Sequence, residues 1–188
     1  DVYKRQVLDD GQVSWVNEFA IFYPNILHHE IDNIRENFQD AFLKIWSGEA
    51  ENDGFNKLVL AAGLTWRQVS MLRAYAKYLK QLGVTYSHDY IESALVHQVE
   101  ITQKIAKLFE LRFSPDVHQD RQEAMDMVLA DIHQQLDAVE NLDEDKIIRL
   151  FLSLIQETLR TNFFQHTADG HAKTYLSFKF NSKNIPGM

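Results

Sequence analysis

Eight histidines and a scatter of carboxylates are the side chains here able to move protons or hold a metal ion. His28 and His29 are adjacent, so on a helix they point about 100° apart and make a poor pair for one ion. His166 and His171 flank Asp169 in a loop, an arrangement able to wrap a zinc ion. No HExxH-type spacing supports such a site, and an exposed polar connector is the expected reading. His88, His97, His118 and His133 stand alone and are expected on polar faces. Carboxylates gather at Glu49/Glu51/Asp53, Asp116/Asp120 and Asp143/Glu144/Asp145, none in the D-x-D-x-D-G pattern of a calcium loop. Loops and helix caps are their expected places.

The seven glycines are isolated, so neither GxGxxG nor GxxxxGK[ST] can be written, and there is no GxSxG elbow. With no cysteine, a thiol nucleophile and a thiolate metal site are excluded. No residue is assigned to catalysis, to cofactor binding or to a metal. One polar cluster stands out, Arg160, Thr161 and Asn162, as a domain-interface candidate. Its local alternative is capping of a helix C-terminus, where a cation meets free carbonyls.

The elements that carry these residues are mostly helical. Only three prolines occur among 188 residues, and the chain is 45% hydrophobic and 24% charged, an ordinary globular composition. Ile31, Ile34, Phe38, Phe42 and Ile45 recur at three and four residues, which predicts a helix ending near Ser47 and Gly48. A short helix follows over 56–62. Thr65 and Gln68 form a capping box ahead of Val69, Leu72, Ala76, Leu79 and Leu82, and Gly83 ends that helix. Ser87 caps a helix with Ile91, Ala94 and Leu95, and another holds Ile101, Ile105, Leu108 and Phe109 up to Ser114 and Pro115. The stretch 116–141 is charged with a thin stripe at Ala124, Val128, Ile132, Leu136 and Val139. The last helix opens on three carboxylates, as the macrodipole favours, is apolar on most sides, and is expected to run to about Phe163. Trp46, Trp66, Tyr75 and Tyr78 read as core or inter-helix packing.

Both ends alternate with period two: Val13, Trp15, Phe19, Ile21 and Tyr23 at one, Leu176, Phe178 and Phe180 at the other. No strand partner is evident nearby, so their sheet neighbours are expected outside the chain, leaving both ends as cut edges. Asp1 to Gln6 resembles an adapter-derived end and is set aside from fold reasoning. The fold class is therefore mainly α, a multi-helix bundle flanked by partial β elements at both ends. The formal charge of −8, with cations spread along the chain, argues against nucleic acid or an anionic membrane surface as partner. No apolar run approaches membrane-spanning length, and a cytoplasmic location is expected.

Several blocks resemble the large bacterial NAD-specific glutamate dehydrogenases. They are Ala62-Gly63-Leu64-Thr65-Trp66-Arg67-Gln68-Val69, Tyr75 to Gly83, Tyr90-Ile91-Glu92-Ser93-Ala94-Leu95, Leu108 to Pro115 and Leu142-Asp143-Glu144-Asp145. The fullest is Thr158-Leu159-Arg160-Thr161-Asn162-Phe163-Phe164-Gln165, followed by Tyr175-Leu176-Ser177-Phe178-Lys179-Phe180. The departures are Gln68, where Glu is common, and Gln98-Val99-Glu100-Ile101, where Pro-Glu-Ile is expected. The resemblance implies the tail of an ACT-like domain at 1–24, a helical region at 25–165, and a linker with the first catalytic-domain strand at 166–188. It further implies a parent that oxidises L-glutamate with NAD, flanking ACT-like and catalytic domains as partners, and a homo-oligomer. The catalytic and nicotinamide-binding motifs are expected after Met188, with NAD bound by the parent alone. The alternative reading is a stand-alone acidic helical interaction module.

Overall fold

The structure, a computed structural model, describes residues 2–7, 10–18, 31–116 and 120–185. Strands β1 (Val2–Val7) and β2 (Val13–Glu18) form an antiparallel hairpin. Helices follow as α1 (Ile31–Trp46), α2 (Lys57–Ala61), α3 (Trp66–Gln81), α4 (His88–His97), α5 (Val99–Phe113), α6 (Arg121–Leu136) and α7 (Leu142–Glu157). A 3₁₀ turn at Gly54–Asn56 leads into α2, and β3 (Thr158–Thr161) pairs antiparallel with β4 (Phe178–Phe180). A helical bundle with β elements at both ends is thus the architecture.

The caps explain where the helices start. The Thr65 hydroxyl accepts the Gln68 N–H, and the Gln68 side chain accepts the Thr65 N–H, a complete capping box on α3. Ser87 accepts the Tyr90 N–H at the head of α4, and Asn141 accepts those of Asp143 and Glu144 at the head of α7. The core runs along α3, α5 and α7: Leu72, Tyr75, Leu79, Ile105, Phe109, Ile147, Phe151 and Ile155 are fully buried. Helix α7 lies against α3, α4 and α5, which is why its apolar residues are not confined to one stripe.

Four expectations are corrected. Neither described strand pair lacks a partner: β2 is paired by residues that had been set aside, and β4 pairs with β3. Phe19, Ile21 and Tyr23 lie outside the described residues. Helix α7 stops at Glu157, six residues short of Phe163. At that point Thr158 turns extended while its hydroxyl donates to the Leu154 carbonyl, so the side chain satisfies an orphaned helix-end acceptor and the chain leaves as a strand. The charged helix spans Arg121–Leu136 rather than the whole of 116–141. Finally, Trp46 is 82% exposed; its ring stacks on Phe42 at 6.0 Å, and Phe42 stacks in turn on Phe38 at 6.3 Å. Tyr75 is core as expected, and Trp66 and Tyr78 pack against it.

Candidate functional site

The most densely bonded polar region is the seam between α3, α5 and the β3–β4 hairpin. The Tyr75 hydroxyl lies 2.8 Å from Thr158 Oγ1. Because the single Thr158 proton goes to Leu154 O, Tyr75 is the donor. Burial pushes the Tyr75 phenol well above its ordinary pKa, so it keeps that proton. Arg67, on the first turn of α3, donates through Nε and Nη2 to the Phe163 carbonyl (3.0 and 2.7 Å) and through Nη1 to the Lys173 carbonyl at 2.9 Å. Burial lowers the Arg67 pKa from its usual value, and the guanidinium sits 5.0 Å over the Phe163 ring. Arg112 of α5 donates to the carbonyls of Gln156 and Thr158. An aromatic layer fills the space between: Tyr75 is 4.7 Å from Phe178, and Tyr78 stacks on Phe180 at 4.4 Å.

The Arg160–Asn162 cluster divides across this hairpin. None of the three caps a helix, since α7 has already ended. Arg160 is exposed and stands directly opposite Lys179 in the strand register. Asn162 is buried and closes the loop: its Nδ2 donates to the Tyr175 carbonyl and its Oδ1 accepts the Ser177 N–H at 2.7 Å. The Thr161 hydroxyl accepts the Phe163 N–H.

The histidines are less isolated than their spacing suggested. His97 Nδ1 lies 2.9 Å from Glu144, a buried carboxylate that also accepts from Gln98, so Glu144 joins the α4–α5 junction to the head of α7. His166 and His171 belong to a closed turn in which the His171 carbonyl accepts the Thr167 N–H. His28, His29 and His118 lie outside the described residues, and His133 is exposed. His88 meets two carboxylates: its Nε2 is 3.4 Å from Glu92, and donor atoms of Asp53, His88 and Glu92 all lie within 4.8 Å of one another. Burial, then the Asp53 carboxylate, holds Glu92 above its ordinary carboxylate range. Sequence reading missed this group because Asp53 and His88 sit on different elements. A cleft of about 740 Å³ lies elsewhere, lined by His97, Gln98, Glu100 and Gln135 among others.

The geometry defines a helical bundle that grips a β-hairpin, and the comparisons divide the chain between α5 and the second half of α6, so that α7 falls with the hairpin. The family described as glutamate dehydrogenase, helical motif 3, matches residues 50–115, and the one described as bacterial NAD-glutamate dehydrogenase, catalytic domain, matches residues 131–188. The chain is 43% identical to the NAD-specific glutamate dehydrogenase of Pseudomonas aeruginosa over 185 residues, 95% of this chain and 11% of that protein. The enzymes of the same name from Halomonas elongata and Mycobacterium tuberculosis are 40% and 42% identical, covering 93% and 94% of the chain and 11% of each relative. The chain thus matches two regions of the bacterial NAD-specific glutamate dehydrogenases and spans about a tenth of the length of these relatives.

Proposed function

We propose that this chain is an internal, non-catalytic region of an NAD-dependent glutamate dehydrogenase, in which the helical motif holds the β3–β4 hairpin in place. The parent reaction takes L-glutamate, NAD and water to 2-oxoglutarate, ammonia and NADH. The observation that carries the reading is the Arg67 guanidinium, which binds two carbonyls across the boundary between the two family matches. A guanidinium shared by two carbonyls 10 residues apart fixes both the start and the return of the 162–177 loop.

The described strands are all in antiparallel pairs, and the chain has no glycine-rich strand-to-helix turn. These residues do not fit a dinucleotide, which needs a crevice at the carboxyl ends of parallel strands with backbone amides on the pyrophosphate. NAD is therefore assigned to the parent, and no chemical step is routed through this region. The proposed organisation runs from the tail of an ACT-like domain at 1–24, through a helical region at 25–165, to the catalytic lead-in from 166. The hairpin bridges the last boundary. Exposed Arg160 and its neighbours face an adjoining domain in this reading, in a homo-oligomeric cytoplasmic enzyme. No helix among the described residues is long and apolar enough to cross a membrane.

The test is direct: the 188-residue chain with glutamate and NAD gives no increase in absorbance at the NADH band. Steady turnover above a heat-denatured control contradicts the non-catalytic reading.

A further inference from the structure

We propose that Asp53, His88 and Glu92 form a divalent transition-metal site that pins the head of α4 to the loop before α2. The donors come from two segments 35 residues apart and converge: one imidazole nitrogen and two carboxylates, all within 4.8 Å of one another. An N/O/O set suits Zn²⁺, Mn²⁺ or Fe²⁺ over Mg²⁺ or Ca²⁺, because imidazole is a poor ligand for the hard ions. Three protein ligands leave a further position for water. Ligand bonds of about 2.1 Å in a tetrahedral site place donors about 3.4 Å apart, so the cluster needs to contract by roughly an ångström. Rotation of the Glu92 side chain supplies that, and His88 Nε2 and Glu92 Oε1 are already 3.4 Å apart.

Two features outside the donor set support the assignment. The first is Arg73, a buried guanidinium that holds both oxygens of Asp53 and also donates to Asn56, while the Phe55 N–H donates to Asp53 Oδ1. Asp53 is thereby fixed in orientation, as ligating carboxylates are by the groups behind them, and one Oδ2 lone pair stays open. The second is Gly54. A Cβ on Gly54 would lie 1.8 Å from Glu92 Oε2, so the Glu92 carboxylate occupies the space a side chain would fill. Only glycine at 54 lets Glu92 approach Asp53. The His88 imidazole rests 5.3 Å from the buried Phe55 ring, which limits its swing. Asp89 and Lys57 also face Glu92, one adding negative charge and the other positive, so the cluster keeps an excess of carboxylate.

The test is calorimetric titration of ZnCl₂ into the metal-stripped 188-residue chain, with MgCl₂ as control and thermal unfolding in parallel. One equivalent of Zn²⁺ is expected to bind and to raise Tm, with no comparable Mg²⁺ effect. H88A and E92Q should abolish the one-equivalent binding, and G54A, which keeps all three donors but displaces Glu92, should weaken it about tenfold or more. Without metal, E92Q should melt no lower than the parent chain, because it removes a carboxylate facing Asp53; this separates loss of a ligand from loss of the fold. H171A should bind as the parent chain does. Absence of stoichiometric Zn²⁺ binding overturns the proposal, and so does binding that survives H88A or is lost in H171A.

Discussion

The hydroxyl of Tyr75, in the middle of α3, donates to Thr158 at the point where α7 becomes β3, across 2.8 Å and 83 residues of sequence. Both residues are fully buried. Thr158 thus does two things at once: its proton closes the end of α7 on the Leu154 carbonyl, and its lone pair receives α3. The switch from helix to strand is held by a local bond to Leu154 and a tertiary one to Tyr75.

Unequal costs are expected for the two halves of that contact. Y75F removes one donor from an oxygen that keeps its bond to Leu154, a loss of about 1 kcal/mol. T158V leaves both the Tyr75 hydroxyl and the Leu154 carbonyl without a partner in the core, so about 2–3 kcal/mol is expected. Urea unfolding of the two variants measures the order, and Y75F more destabilising than T158V would contradict it.

Arg67 should not be replaceable by lysine. Hydrogen bonds from a charged donor contribute about 1.5–3 kcal/mol, and an ammonium cannot reach the Phe163 and Lys173 carbonyls in the planar geometry the guanidinium uses. R67K is expected to lose about 1–2 kcal/mol and to broaden the NMR signals of 163–173 while those of α3 persist. Equal stability of R67K and the parent chain would show that the grip is dispensable.

Gln68 has a second task beyond the capping box, because its Nε2 donates to Glu110 of α5 at 2.7 Å. A glutamate at this position keeps the cap but puts a like charge against Glu110. Q68E should therefore destabilise by about 1 kcal/mol at low salt, with part recovered at 0.5 M NaCl as screening sets in. A variant as stable as the parent at low salt would show that the contact is idle.

Tyr75 and Tyr86 should titrate late. Burial raises Tyr75, and a hydrogen bond from the Tyr86 hydroxyl to Asp143 raises Tyr86. A phenol whose folded pKa exceeds its unfolded value near 10 contributes stability below that pH and loses it as pH rises through the folded value. The phenolate band should show a late component that shrinks in Y86F, and stability should fall above about pH 10. Normal titration of Tyr86 would contradict the Asp143 bond.

How much of this was legible in the sequence depended on range. The Thr65–Gln68 box, the Ser87 cap and the glycine stop at Gly83 are decided within a turn of helix, and each formed where its residues said. The end of α7 was not legible, since Leu159 and Phe163 continue the apolar pattern and the Tyr75 contact to Thr158 comes from far along the chain. Pairing of β3 with β4 spans a 16-residue connection that nothing local encodes. An independent module also pairs its own strands; the family matches, not loose edges, support the internal region. Trp46 shows the other limit: helical spacing marks a stripe but not which side of it meets a neighbour.

The central claim is that helical motif and hairpin fold as one unit. Native-state hydrogen exchange of the 188-residue chain tests it most directly, through the amides of Thr158–Thr161 and Phe178–Phe180 against those of Leu72–Leu79 in α3. The account predicts that the best-protected hairpin amides exchange only through the same global opening as α3. Rapid exchange of the hairpin while α3 stays protected would contradict it.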